Sequence, residues 1–330
     1  MTSRIAVLSI LTIWILADPL TRHAAPHQTQ VHGLLVRRAD LTTVVRLAPN
    51  GAVTDTIYRS SALHVFDLTV APSGRFVAML EGGGRAGTSN RLIVADGVGN
   101  TIHVVERDVR RHVWCCDGSQ VAFITGSFAE GGDLGFTPTG AYLIDIERGT
   151  EERLDVPSDV YELAWVAFDT ALYFKTSRGY PGSSIVRYHP NSRKSVVTAY
   201  LDLRFSPSGT FYLHQFPDAQ FGSPGWRIFE RATGRQVARP DTSLGGIEGW
   251  VFGEGDYLRL KRVRFPMRDG MRRGPEEIVG YTIYDVAAGG AVVQIRDSVR
   301  ADIVSQLGAL VLARDGRLEL VRSVREIVRP

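Results

Sequence analysis

From about residue 33 onward the chain is a succession of short apolar or alternating runs, separated by turns rich in Gly, Asn and Pro, with no extended stretch of helical period. Leu34-Leu35-Val36, Thr43 to Leu47 and Val53 to Tyr58 come first, the last two joined through Pro49-Asn50-Gly51. Further on, Arg91 to Val94 and Ile102 to Val105 flank Gly97-Val98-Gly99-Asn100. The same sequence of run and turn recurs at Ala141 to Asp145, Ser184 to Tyr188, Trp226 to Phe229 and Tyr281 to Asp285. Runs of this length bounded by hairpin turns predict an all-β fold.

One unit recurs along the chain. Asp202-Leu203-Arg204-Phe205-Ser206-Pro207-Ser208-Gly209, followed by Phe211-Tyr212-Leu213, repeats Asp67-Leu68-Thr69-Val70-Ala71-Pro72-Ser73-Gly74, followed by Phe76 to Leu80. Pro presets φ in the turn and Ser followed by Gly supplies the rest of its geometry, so each unit is an acidic residue, a strand, a tight turn and a second strand. Four looser copies align on the apolar strand after the turn. They are Val113 to Gly118 before Val121, Leu163 to Asp169 before Leu172, Trp250 to Gly255 before Tyr257, and Ile303 to Gly308 before Leu310. A period of roughly 40 to 50 residues with about four strands per unit is the signature of a β-propeller, whose sheets bury both faces only when their neighbours stack around an axis.

The unit resembles the repeat of the TolB-like, WD-repeat-like propeller family, which carries Asp at the start of the innermost strand and Ser-Pro-Asp-Gly at the turn. Asp67 and Asp202 match that Asp; Pro72-Ser73-Gly74 and Pro207-Ser208-Gly209 match the turn with Ser where the family commonly has Asp, and the other copies lack the Pro. Six copies give six blades. The last copy ends soon after Leu318 to Val321, so the N-terminal strands are expected to complete its sheet and close the ring. Seven blades result if the two terminal strand sets each form their own.

Residues 1–30 stand outside this pattern. Arg4 precedes an uncharged apolar run from Ile5 to Leu16, too short for a comfortable membrane span. It reads as an export signal, with Ala17 and Ala25 as candidate cleavage positions, or as an uncleaved membrane tether. The propeller then occupies 31–330 as a single domain, extracytoplasmic in either case, periplasmic or secreted, and a monomer is expected. A formal charge of +3 on 330 residues is too small to argue for nucleic acid. The two cysteines, Cys115 and Cys116, are adjacent: one core thiol and one packed between blades is the plain reading, and a vicinal disulfide the strained one. No Cys or His cluster accompanies them, so zinc is not supported.

Alignment of the copies places Asp67, Arg111, Glu162, Asp202, Glu248 and Arg300 at one equivalent position, the entrance of each innermost strand, where they would ring the mouth of a central channel. The long insertions fall between the second and third strands of each unit: Glu81 to Asn90, Gly126 to Gly140, Thr176 to Ser183, Gln215 to Gly225 and Arg262 to Glu277. Strand polarity puts these loops on the same face as the strand entrances, and the Ser-Pro-Ser-Gly turns on the other. Long Gly- and Pro-rich loops on a rigid scaffold are where binding usually resides, which assigns recognition to the elaborated face. Two readings of the charged ring stand open. The family resemblance implies that its Asp caps backbone N–H groups and ties neighbouring blades; the alternative is ligand contact. Calcium or another divalent cation would need six or more converging oxygens, and two arginines in the ring oppose that.

The strongest local charge feature is Arg259 to Arg264 continuing to Arg273, where Arg262, Arg264, Phe265, Arg268, Arg272 and Arg273 form a candidate contact with an acidic protein, anionic headgroups or a polyanionic envelope polymer. A solvated face is the plain alternative. Phe128, Phe136, Tyr180, Phe216 and Phe221 are expected as apolar tips on the same face. Catalytic signatures are thin. There is no Gly-x-Ser-x-Gly elbow, and the histidines are scattered, although a repeat fold can bring His64 and His112 together at adjacent strand entrances, a pair too few for a site. Two functions follow: an exported, non-catalytic platform that binds a protein or envelope component through the loop-rich face, or a metal-assisted, lactonase-like hydrolase holding a cation with carboxylates among Asp67, Glu162, Asp202 and Glu248.

Overall fold

The computed structural model describes residues 34–37, 41–48, 52–61, 63–83, 89–115, 117–128, 136–176, 184–216, 225–240, 246–251, 255–264, 267–268, 271–272, 277–296, 304–306, 309–314 and 317–321. They are strands and turns throughout, apart from one 3-10 turn at Ala167–Asp169. No helix among them is long and apolar enough to cross a membrane. The strands fall into two compact units, Met1–Thr198 and Ala199–Pro330.

The first unit contains four antiparallel sheets, each a simple meander. The opening sheet holds β1 (Leu34–Arg37), β2 (Thr43–Leu47) and β3 (Val53–Arg59). The next holds β4 (His64–Val70), β5 (Phe76–Gly82), β6 (Asn90–Asp96) and β7 (Thr101–Val105). Then come β8 (Val109–Cys115), β9 (Gln120–Phe128), β10 (Phe136–Asp145) and β11 (Thr150–Arg153), and β12 (Val160–Val166), β13 (Ala171–Thr176), β14 (Ile185–His189) and β15 (Lys194–Thr198).

Alternating side chains explain why the second strand of each sheet is apolar on both faces. From β5, Val77 and Met79 pack with Leu35, Val44 and Ile57 of the sheet before, while Phe76, Ala78 and Leu80 pack with Val109, Val121 and Phe123 of the sheet after. From β9, Ala122 and Ile124 face Val160, Leu172 and Phe174 one sheet further on. Each such side chain contributes about 1.5–3 kcal/mol when fully buried, so stacking of successive sheets is the main stabilising term.

The second unit repeats the plan. Its first sheet is β16 (Arg204–Phe205), β17 (Phe211–Phe216), β18 (Gly225–Glu230) and β19 (Gln236–Ala238). Next are β20 (Ile247–Val251), β21 (Tyr257–Arg264), the small hairpin β22 (Met267–Arg268) with β23 (Met271–Arg272), β24 (Glu277–Asp285) and β25 (Gly290–Arg296), paired in the order β20-β21-β24-β25. Leu213, Trp226 and Ile228 of the one sheet pack with Ile247, Leu258 and Leu260 of the other. The last sheet is β26 (Val304–Gln306), β27 (Ala309–Arg314) and β28 (Arg317–Val321).

The fold is the expected β-propeller plan. Among the described residues the terminal strands form two separate three-stranded sheets, and the five sheets between them have four strands each. Whether the blades number six or seven turns on those two short sheets. The turns close as anticipated: Gly74 and Gly209 adopt φ of 69° and 72°, and their N–H groups donate to Ala71 and Ser206 carbonyls at 2.8 and 2.9 Å. Cys115 is buried, its Sγ lying 3.8 Å from Gln120 Oε1; Cys116 and the segment 1–30 lie outside the described residues.

Candidate functional site

The first strand of a sheet pairs irregularly with the second at a recurrent place. β4 carries an extra residue against β5 between Phe66 and Thr69, β8 against β9 between Val109 and Arg111, β12 against β13 between Val160 and Glu162, and β20 against β21 between Ile247 and Gly249. A bulge locally disrupts the ladder and re-aims the side chains beside it. Asp67, Arg111, Glu162 and Glu248 are therefore not at strand entrances but inside the strands, at or beside these bulges. Asp67 itself takes φ of 50°, a left-handed conformation that Asp tolerates better than most residues.

In the first unit β8 lies beside both β4 and β12, so Asp67, Arg111 and Glu162 occupy neighbouring strands. Asp67 Oδ2 is 3.3 Å from His112 Nδ1, and His112 Nε2 is 2.7 Å from Thr69 Oγ1. The imidazole is fully buried, whereas the Asp67 side chain is 42 % exposed. Burial alone would raise the Asp67 pKa, but the His112 charge and hydrogen bond, with the Arg111 guanidinium nearby, hold it below the usual carboxylate range. This network links β4 of one sheet to β8 of the next. Both ring nitrogens of His112 thus face partners other than His64. Arg111 is exposed and Glu162 half-buried, and neither side chain makes a hydrogen bond or ion pair among the described residues.

A second polar centre was not legible in the sequence. Glu81, at the end of β5, is 1 % exposed; Tyr58 donates its hydroxyl to Glu81 Oε1 at 2.9 Å and Arg91 Nε pairs with Oε2. Burial would raise the Glu81 pKa, yet hydrogen bonds from Ser60, Arg91 and Tyr58 and the Arg91 charge bring it below its ordinary value. Burial, then the bond to Glu81, pushes Tyr58 up to about 12. Its members come from β3, β5 and β6, so no local motif announces the cluster.

In the second unit Asp202 is buried, accepting the Leu203 N–H at 2.7 Å and lying 3.5 Å from His214 Nδ1 and 4.0 Å from Arg204 Nε. The side chain of Glu248 and the whole of Arg300 lie outside the described residues, as do Phe265, Arg273, Tyr180, Phe221 and the side chains of Phe128, Phe216, Arg264, Arg268 and Arg272. Two expectations about loops need correction. Phe136 is no exposed tip: it begins β10 and packs partly buried against the core cluster of β9, β12 and β13. Gly126 allows this, since a Cβ there would fall 2.5 Å from the Phe136 ring. The basic segment is no simple loop either, because β21 and β24 run on as a ladder to Arg264 and Glu277, with β22 and β23 beyond.

The opposite face, formed by the tight turns, is stapled. Arg75 pairs with Glu147 at 2.5 Å and Arg193 with Glu152 at 2.6 Å, each joining two sheets of the first unit. In the second, Ser208 donates from N and Oγ to Asp256 at 3.2 and 2.6 Å. A cleft of about 370 Å³ opens on this side, lined by Gln120, Asp145, Arg148, Glu152, Asn191 and Arg193, and within it Arg148 pairs with Asp145 and Arg193 with Glu152. Among the described residues no three His, Cys, Asp or Glu side chains converge as metal ligands.

Comparison with known proteins adds the fold. No protein-family model matches the chain, and no curated protein matches it. Hydrazine synthase of Kuenenia stuttgartiensis is similar over 93 % of this chain and 99 % of its own, at TM-score 0.54 and 15 % identity. The Cps50 (Swd1) β-propeller domain of Myceliophteria thermophila is similar over 96 % and 100 %, at TM-score 0.52 and 15 % identity. A putative TolB from Agrobacterium tumefaciens is a looser likeness, over 62 % and 75 %, at TM-score 0.42 and 17 % identity. A solved β-propeller domain is thus among the structures this chain resembles at a TM-score above 0.5. At such identities the likeness establishes the fold alone.

Proposed function

We propose that this chain is a non-catalytic, exported binding platform that engages a protein or envelope component through the face carrying the connections between second and third strands. One contrast carries the reading. On the turn face Arg75–Glu147 and Arg193–Glu152 join successive sheets, whereas at the bulges of the first unit the side chains of Arg111 and Glu162 make no hydrogen bond or ion pair within 4 Å among the described residues, Arg111 acting on Asp67 only through its charge. A guanidinium and a carboxylate held on adjacent strands at fixed bulges favour a partner presenting complementary charges. Export rests on the apolar run from Ile5 to Leu16.

The test is capture of envelope-fraction proteins by the purified domain, beside a variant carrying Arg111→Glu and Glu162→Lys. A partner retained by the native domain and lost by the variant, with an unchanged melting temperature, supports the reading. Equal capture by both removes the strand-bulge positions from the interface.

A further inference from the structure

The turns that join third and fourth strands meet the preceding sheet in two different ways. In the sheet of β4 to β7 the turn at residues 96–100 is pressed onto the sheet before it: Arg46 donates to the Gly97 carbonyl, and a Cβ on Gly99 would fall 2.3 Å from the Ile57 carbonyl oxygen. In the sheet of β12 to β15 the corresponding turn, residues 190–193, leaves a cleft of about 370 Å³ between itself and the sheet of β8 to β11. An ion pair from Arg193 to Glu152 Oε2 at 2.6 Å bridges it. The volume is that of a small-molecule pocket at the lower end of the usual range.

Strand register sorts the lining. Gln120, Asp145 and Thr150 are direct cross-strand partners on β9, β10 and β11, and Leu143, two residues along β10, is opposite Glu152. Paired residues share a face and alternate residues return to it, and Leu143 packs in the core with Leu172 and Tyr188, so this whole row looks toward the sheet of β12 to β15. One wall is therefore a carboxamide, two carboxylates and a hydroxyl held on paired strands. Pro190, Asn191 and Arg193 form the other. Glu151 borders the cleft, but the alternation turns its side chain to the opposite face, where it pairs with Arg107. Arg148 stands at the rim beside Asp145.

The lining thus sets two carboxylates, Asp145 and Glu152, against two guanidinium groups, Arg148 and Arg193, and that balance selects the ligand. A simple anion meets the carboxylates. A metal ion meets the guanidinium groups and, among the described residues, no set of three ligating side chains. An apolar molecule finds only Leu143 and Pro190. A molecule with one positive and one negative end gives each charge a partner. Both resident pairs are open to such exchange, since Arg148 and Arg193 are 80 % and 73 % exposed and ion pairs so exposed are weak.

We infer that this cleft is a binding site for a small zwitterion, its ammonium taken by Asp145 and Glu152 and its carboxylate by Arg193. A free amino acid and a short peptide share that chemistry, and the carboxamides of Gln120 and Asn191 add donors and acceptors for a peptide group. The site lies on the turn face, apart from the strand bulges, and goes beyond the binding-platform reading.

Isothermal titration of the whole chain with alanine and with dialanine, each free, N-acetylated or C-amidated, tests the inference. At least one free ligand is expected to bind, and blocking either of its ends to weaken it roughly tenfold. Tighter binding of dialanine identifies a peptide site and tighter binding of alanine an amino-acid site; either supports the inference. Arg193→Gln is expected to weaken the free ligand about tenfold without weakening the C-amidated one, and Glu152→Gln to weaken the free ligand without weakening the N-acetylated one. Failure of both free ligands to bind overturns the inference. So does equal binding of free and blocked ligands, or equal loss of free and blocked ligands in the two variants. If a variant fails to fold, the comparison of free with blocked ligands on the native chain still decides.

Discussion

At the scale of residues, the described polar centres are built from groups on different strands, and their chemistry predicts how stability depends on pH. Asp67 and Glu81 both titrate below their ordinary values. Their contribution is therefore complete above the usual carboxylate range and is lost as pH falls through the depressed folded values. Tyr58 has the opposite sense: raised from 10.0 to about 12, it contributes fully below its unfolded value and loses that contribution as pH climbs toward 12. Urea midpoints measured against pH check both limbs. Glu81→Gln is expected to flatten the acid limb and cost about 1–3 kcal/mol at neutral pH, and Tyr58→Phe to flatten the alkaline one. His112→Ala removes the link between Asp67 and Thr69 and should cost about 2 kcal/mol by the same measurement. None of these partnerships is visible in sequence, because the partners lie 23 residues apart for Tyr58 and Glu81 and 43 for Thr69 and His112. The strand alternation marks Glu81 only as the end of an apolar run.

At the scale of elements, strands and turns were the legible part. Apolar runs such as Phe76 to Leu80 marked strands buried on both faces, and Pro-Ser-Gly marked turns whose Gly takes positive φ. The degenerate turn at Asp117-Gly118 lacks the Pro yet closes in the same way, with Gly118 N–H donating to Cys115 O at 3.0 Å and φ of 89°. A Cβ on Gly118 would sit 2.9 Å from Ala71 of the preceding sheet's turn. Gly118→Ala is accordingly expected to destabilise by about 1–3 kcal/mol in a chemical melt, and Gly149→Ala, where nothing lies within 4 Å, by less. Bulges were not legible. One extra residue leaves the apolar alternation of a short strand almost unchanged, so in sequence Arg111 and Glu162 read as strand entrances, whereas they stand beside irregularities in β8 and β12. Strand extent was also underestimated, as at Phe136, where β10 begins, and at Glu277, where β24 begins ahead of Tyr281.

At the scale of the whole molecule, the repeat period was enough to predict stacked four-stranded meanders, since their second strands must be apolar on both sides for successive sheets to pack. The placement of connections followed from strand polarity alone, which is why the division into a loop-bearing face and a turn face was foreseeable, though the ion pairs on the turn face were not. The chemistry of the partner was not, because it depends on side chains presented at bulges. The most direct measurement of the central claim is amide hydrogen exchange of the chain alone and with its captured partner. Protection confined to β8 and β12 near Arg111 and Glu162 and to the ends of the second and third strands is the predicted result. Protection at the tight turns around Gly74, Gly118 and Gly209, with the strand bulges unchanged, would contradict it.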